Sequence, residues 1–356
     1  MIAHENFPLS RVLYYGIGGT ARFLLEAGSE DDVLMALDFV RANGVERFIV
    51  VGLGSNLLFS DEPFDGAVLR ICTSGGAVAS RASALPGGPR RTKRPRSQGE
   101  GPVRIRDLGG GLVQAFAGEE LDRVVNFGFD RGYVGLEWAG GLPGTVGAAV
   151  RGNVGAFGGE LKEVLERAAL LEIGQAGAEP RDFDRSALRF SYRDSLVKQD
   201  RRLVVVSATF RLREGGDAEV GEARRRYQSN IDYRHRNHPM EYPTCGSVFK
   251  NIEKRDEVER VLAVWPDVKE MVEGRWHGKV SMGYAINRLG LAGHQIGKAQ
   301  ISPKHNNFIV NLGGARFGDV HGIIETVKER FSGTFGFTPE AEVEIVDWSR
   351  NIGRQV

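Results

Sequence analysis

Apolar positions recur along this chain at two spacings, and the changes of spacing mark its elements. Val33, Ala36, Leu37 and Val40 follow at helical intervals behind Ser29 and Asp32, a pair that predicts an N-terminal cap, and Asn43-Gly44 predicts the stop. Phe48-Ile49-Val50-Val51 reads as a buried strand running straight into Gly52-Leu53-Gly54-Ser55-Asn56, and Val68–Ile71 as another strand. After Gly109-Gly110-Gly111 a helix is expected from Val113 to about Phe127. Strands are expected around Ala168–Ile173 and Leu203–Leu212, then a polar helix around Ala218–Ser229. Beyond Tyr233, helical patterns lie at Glu257–Val264, Ser281–Leu289 and Asp319–Phe331; in the last, Val320, Ile323, Ile324, Val327 and Phe331 share one face. Phe308–Asn311 and Val343–Val346 complete the expected strands. Helices and strands alternate too irregularly for a doubly wound sheet throughout. The pattern predicts an α+β chain, with a two-lobed glycine-rich domain and a smaller C-terminal domain.

The chain has 356 residues, 41% hydrophobic and 26% charged, with a formal net charge of +1. Such a balance belongs to a folded protein with no global field toward nucleic acid or an anionic membrane, so any anion must meet a local site. The two cysteines, Cys72 and Cys245, have no close partner in sequence and fit a reducing compartment. Met1–Arg11 lacks the apolar stretch of a secretory signal, and no apolar run is long enough to span a bilayer. A cytoplasmic protein without membrane insertion is expected. Residues 73–102 are rich in Gly, Ala, Ser and Pro and end with Arg90, Arg91, Lys93, Arg94 and Arg96. They read as a flexible basic insertion rather than a nucleic-acid tail.

Glycine is the compositional outlier, with 48 residues, about twice the usual share. Three clusters hold many of them: Gly16-Ile17-Gly18-Gly19-Thr20-Ala21, Gly52-Leu53-Gly54-Ser55-Asn56-Leu57, and Gly140 to Gly159 with its Gly144-Thr145-Val146-Gly147 step. Successive main-chain N–H groups in such turns form anion nests suited to a pyrophosphate. None of the three fits the older dinucleotide fingerprint, and the P-loop pattern is absent.

In the second half, Arg193 stands between Tyr192 and Asp194-Ser195, and an arginine can clamp a carboxylate through paired hydrogen bonds. Ser247 follows Gly246 at the entry to an apolar pair and could donate a proton, or simply close a turn. With strand spacing, Glu340, Glu342 and Glu344 share one face, which on pattern alone is an exposed one. His235 and His238 lie three apart, but no cysteine or carboxylate set completes a metal site, and no metal is expected.

Taken in order, Gly16–Phe23, Val51–Asp61, Gly135–Glu160, Tyr192–Lys198, Pro243–Asn251, His305–Asn311 and Glu342-Val343 closely resemble the UDP-N-acetylmuramate dehydrogenase (UDP-N-acetylenolpyruvoylglucosamine reductase) family. The resemblance covers nearly the whole chain outside the 73–102 insertion. It implies a two-lobed FAD-binding domain of the vanillyl-alcohol-oxidase type (1–72 and 103–230) and a smaller α+β substrate-binding domain (231–356). It implies non-covalent FAD held by Gly52, Gly54, Ser55, Asn56, Leu57, Gly144, Thr145, Gly147, Asn153, Gly155, Ala156 and Gly158. Arg193, Ser247 and Glu342 fall on the family's catalytic positions, and Tyr192, Lys250, Asn251 and Asn307 on substrate contacts. Asn153-Val154-Gly155 has valine where the family usually has alanine, and Glu344 stands where a basic residue is common. The stretch from Arg193 to Ser247 is too short for the inserted tyrosine loop of some members, so the chain is similar to the class without it.

The activity implied is NADPH-dependent, FAD-mediated reduction of UDP-N-acetylglucosamine enolpyruvate to UDP-N-acetylmuramate by a monomer. A sugar or alcohol oxidase of the same fold, or a non-catalytic flavin-binding module, stand as alternatives.

Overall fold

The computed structural model describes residues 1–73, 104–173 and 179–348. The expected basic insertion at 73–102 therefore falls, but for Thr73, outside the described residues.

The first lobe is a four-stranded sheet ordered Ile2–Pro8, Thr20–Ala27, Phe64–Ile71, Phe48–Val51. Its first pair is antiparallel and the other two are parallel. Helix Glu30–Ala42 makes the crossover between Thr20–Ala27 and Phe48–Val51. Ser29 accepts a hydrogen bond from Asp32 N at its start, and Val33, Ala36 and Val40 are its buried stripe. Both the cap and the stripe follow the sequence pattern.

The second lobe is a five-stranded antiparallel sheet ordered Arg181–Asp184, Leu165–Glu172, Leu203–Arg211, Leu112–Phe116, Ile105–Gly109. Here the expected helix from Val113 is corrected. Residues Leu112–Phe116 are a strand, and the helix begins only at Leu121 and ends at Phe129. Val113 and Ala115 are fully buried while Leu112 and Gln114 are not, so the local period is two. Gly110 and Gly111 both take positive φ, +58° and +76°, and Gly109 pairs with Leu112 across them. That is the geometry of a tight hairpin, which turns the chain back into a strand. The apolar faces of both lobes merge into one core.

Helix Asp217–Asn237 leads to the last unit and runs eight residues past the expected end. It stops before His238-Pro239, where proline restricts the preceding residue. A four-stranded antiparallel sheet follows, ordered Thr244–Ser247, Phe308–Asn311, Ala299–Ile301, Gln295–Ile296. Helix Phe317–Phe335 lays Val320, Ile323, Ile324, Val327 and Phe331 into the second large core, with helices Arg255–Val264 and Met282–Arg288 around it.

The expected acidic strand face is also corrected. Glu340 and Glu342 precede the strand, which spans only Glu344–Val346, and each glutamate meets a different basic partner: Lys250, Arg193 and Arg151 respectively. That short strand crosses back to pair in parallel with Leu57–Phe59 of the N-terminal half. Trp348 follows it, stacking on Phe64 with ring centroids 3.9 Å apart and donating to Glu62 O. A third, smaller core of Leu9, Leu13, Phe59, Phe64, Val346 and Trp348 thus joins the two ends of the chain.

Candidate active site

A cleft opens between the lobes, and its floor is the loop that leaves strand Phe48–Val51. A Cβ on Gly52 would stand 2.5 Å from Thr145 Oγ1, so only glycine lets this loop approach the turn opposite. Gly54 takes φ +69°, and a Cβ there would meet Leu13 at 2.6 Å. Ser55 Oγ donates to Pro143 O at 3.3 Å, tying the two loops together. Among the described residues, no group accepts a hydrogen bond from the N–H of Leu53, Gly54, Ser55 or Asn56. These donors face a cleft that also carries Arg151, Lys198 and Arg201. Unspent amides, nearby cations and apolar walls from Val51, Val204 and Val205 suit an extended dinucleotide with a pyrophosphate.

Seven residues expected at a cofactor line this cleft: Gly52, Gly54, Ser55, Asn56, Leu57, Thr145 and Gly147. Gly144, Asn153, Gly155, Ala156 and Gly158 do not line it. Arg151, Lys198, Arg201 and Glu344 line it without having been singled out for the cofactor. Glu344 binds Arg151 through two contacts of 2.7 and 3.1 Å and lies 3.7 Å from Arg201, which explains an acid at a commonly basic place. Long-range ion pairing leaves no local sequence signal, so only Lys198, inside the Tyr192–Lys198 stretch, was within reach.

Arg193, Glu342 and Ser247 arrive from three separate elements. Arg193 sits on the turn Ser191–Asp194 with φ +57°, a conformation uncommon outside glycine. Its Nη2 donates to Gly155 O at 2.8 Å, and Lys198 Nζ donates to Arg193 O at 2.8 Å. Arg193 Nε lies 2.8 Å from Glu342 Oε1, an ion-pair contact in which the N–H does not point along a hydrogen bond. Burial pushes the Glu342 carboxyl above its usual range, against the pull of Arg193, Lys198 and Lys250.

Glu342 N donates to Val248 O at 2.8 Å, which sets Ser247 in the adjoining register. Asn56 Nδ2 donates to Glu342 O at 3.1 Å, and Glu344 N donates to Asn56 O at 3.1 Å. A Cβ on Gly246 would lie 3.9 Å from Ser55 O, so the serine's strand runs beside the cleft's glycine loop.

Of the expected substrate contacts, Tyr192 borders this group, with Lys279 Nζ 4.0 Å from its ring centroid. Lys250 is ion-paired with Glu340. Asn251 is exposed and accepts a hydrogen bond from Met282 N at the start of a helix. Asn307 is buried and uses both ends of its amide on the Phe249 main chain, at 3.0 and 2.8 Å, so its side chain holds the strand pair. Cys245 is buried against Tyr15, and its thiol is pushed up to about 12 by burial. Among the described residues no group of three His, Cys, Asp or Glu side chains could hold a metal ion, and no helix is long and apolar enough to cross a membrane.

Residues 238–346 match the family described as UDP-N-acetylenolpyruvoylglucosamine reductase, C-terminal domain. UDP-N-acetylenolpyruvoylglucosamine reductase of Parasynechococcus marenigrum is 31% identical, across 96% of this chain and 94% of the relative. The same reductase of Lactobacillus johnsonii is 32% identical, with 96% and 94% covered. The crystal structure of UDP-N-acetylenolpyruvylglucosamine reductase from Thermus caldophilus superposes with a TM-score of 0.67 at 25% identity, over 97% of this chain and 98% of that one.

Proposed function

Because the chain belongs to the UDP-N-acetylenolpyruvoylglucosamine reductase family, we propose that Arg193, Ser247 and Glu342 carry its chemistry at the mouth of the glycine-floored cleft. The protein is an FAD-dependent oxidoreductase that makes UDP-N-acetylmuramate for peptidoglycan precursor synthesis, using NADPH. FAD, when bound, supplies hydride transfer between NADPH and the enolpyruvyl group. The residues fit that cofactor, since the cleft joins unspent loop amides, basic side chains and an apolar wall. Main-chain N–H groups of Leu53–Asn56, with Thr145 and Arg151, would hold it.

Reduction of the enolpyruvyl double bond builds negative charge toward the substrate carboxylate, and fixed donors stabilise such charge best. Arg193 is the cation for that carboxylate. Glu342, its carboxyl raised by burial, works protonated and shares a proton with the developing enol-like charge. Ser247 gives the proton that completes the reduced carbon, its hydroxyl carried to the site by Gly246. Tyr192 and Lys250 border the substrate on the open side.

The observation that carries this reading is the contact between Arg193 and Glu342, 149 positions apart in sequence, stitched through Asn56 to the cleft floor. The test is a visible spectrum of the purified protein, followed by NADPH oxidation with and without the enolpyruvyl sugar nucleotide. A yellow protein whose NADPH oxidation depends on that substrate is expected; a protein that binds no FAD would end the reading. We further propose a cytosolic monomer. The two cysteines form no disulfide, in keeping with a reducing compartment, and light scattering reads the mass directly.

A further inference from the structure

The turn that bears Arg193 needs an external hold. Its main chain is in a left-handed conformation that costs on the order of 1–3 kcal/mol for a non-glycine residue, and only its surroundings can keep it there. Lys198 Nζ holds it at Arg193 O, and a second side chain, Asn153, reaches its first residue from the end of a neighbouring helix. Asn153 ends helix Val146–Gly152, itself left-handed at φ +40°, and is wholly buried. Its Nδ2 donates to Ser191 O at 2.8 Å, the first residue of the arginine's turn, and also lies 3.1 Å from Glu160 Oε2. Its Oδ1 accepts from Lys162 N at 3.1 Å.

Both ends of this amide are therefore committed to protein, and both of its N–H groups are used. Two residues on, Gly155 O receives Arg193 Nη2, so one short segment, 153–155, grips the turn at its main chain and the guanidinium at its tip.

We propose that Asn153 is the positioning residue of Arg193, setting the turn from the cofactor side, and is not a side-chain ligand of the cofactor. The inference rests on the catalytic reading of Arg193 given above. Without the amide, Ser191 O keeps, among the described residues, only the bond from Asp194 N inside the turn, and with Lys198 Nζ on Arg193 O as the main remaining side-chain hold the turn loosens. The guanidinium then drifts from Glu342, and a displacement near 1 Å at a reacting group costs up to about 100-fold in rate. The cleft floor, built from residues 52–57, is untouched.

Asn153→Gly is the primary variant, because glycine keeps the left-handed conformation without strain while deleting all three hydrogen bonds. Asn153→Asp is the second, because it keeps the acceptor for Lys162 N but turns a carboxylate toward Ser191 O and Glu160. Each is studied as the FAD-loaded protein by stopped flow, beside Arg193→Ala and the double variant Asn153→Gly/Arg193→Ala. The expected result is unchanged FAD affinity, normal flavin reduction by NADPH, and reoxidation by the enolpyruvyl substrate slowed about 10- to 100-fold in both Asn153 variants. The double variant should be no slower than Arg193→Ala, since a positioning residue has nothing to position once the arginine is gone. Normal reoxidation in Asn153→Gly, losses that multiply in the double variant, or weakened FAD binding would each overturn the inference while leaving the role of Arg193 standing. Normal reoxidation in Arg193→Ala would overturn both.

Discussion

Arg193 on a left-handed turn and Glu342 beside the strand Glu344–Val346 stand 2.8 Å apart, and the arginine bears on how the acid titrates. The arginine lowers the cost of a carboxylate, yet burial outweighs it and raises the acid's titration. A carboxyl with a raised pKa keeps its proton to higher pH than an ordinary glutamate. If the protonated acid serves the reaction, the substrate half-reaction declines as pH rises through that raised value. Glu342→Gln cannot titrate and should show a flat profile over the same range, with a maximal rate lower by about 100-fold. Stopped-flow reoxidation across pH reads both, and an unchanged profile would remove Glu342 from the proton path.

Ser247 and Cys245 lie two residues apart and offer a direct comparison. Cys245 is buried with its thiol pushed up to about 12, while Ser247 is partly exposed beside Glu342. Ser247→Ala should leave flavin reduction by NADPH intact and slow reoxidation by substrate by about 10²- to 10⁴-fold. Cys245→Ala should leave both half-reactions near the wild-type rates. The reverse outcome would hand the proton donor's role to the cysteine.

Gly52→Ala tests the cleft floor. The added methyl meets Thr145 Oγ1 at 2.5 Å, so either the loop or the helix cap must move. Overpacking of this kind costs about 1–3 kcal/mol, and the moved loop amides should weaken FAD binding by about 10-fold or more. Flavin fluorescence on titration measures it; affinity equal to the wild type would show that the loop does not bear on the cofactor.

His238 is packed against His305 and Phe308, near Arg234 and Lys304, and burial beside these groups lowers its pKa to about 3. It is neutral in the native state, whereas the unfolded chain takes up a proton below about pH 6.5. Between those values the unfolded state binds more protons, so stability rises with pH and is lost on acidification from about 6.5 toward 3. The loss by pH 5 is roughly 1–2 kcal/mol. His238→Gln should narrow the difference in Tm between pH 7 and pH 5; an identical difference in both proteins would show that the histidine does not titrate on unfolding.

Residues with local causes were legible before the fold was known. Ser29 capping its helix, the apolar face of Phe317–Phe335 and the strand feeding Gly52 all depend on neighbours a few positions away. The error at Val113 came from reading a glycine triplet as the end of a loop, when Gly110 and Gly111 close a hairpin whose return strand has period two. The settings of Glu344 and Asn307 were out of reach for another reason. Their partners, Arg151 and Phe249, are 193 and 58 residues away, and no spacing along the chain reports such a pairing.

The strand Glu344–Val346 lies against Leu57–Phe59. A ribosome must therefore translate some 285 residues beyond Phe59 before the segment next to the glycine loop has its neighbour. Until then the nascent chain lacks one wall of its cleft, so flavin capture waits for that strand to be made. A stop codon ahead of Glu344 would leave a long polypeptide whose cleft lacks that wall.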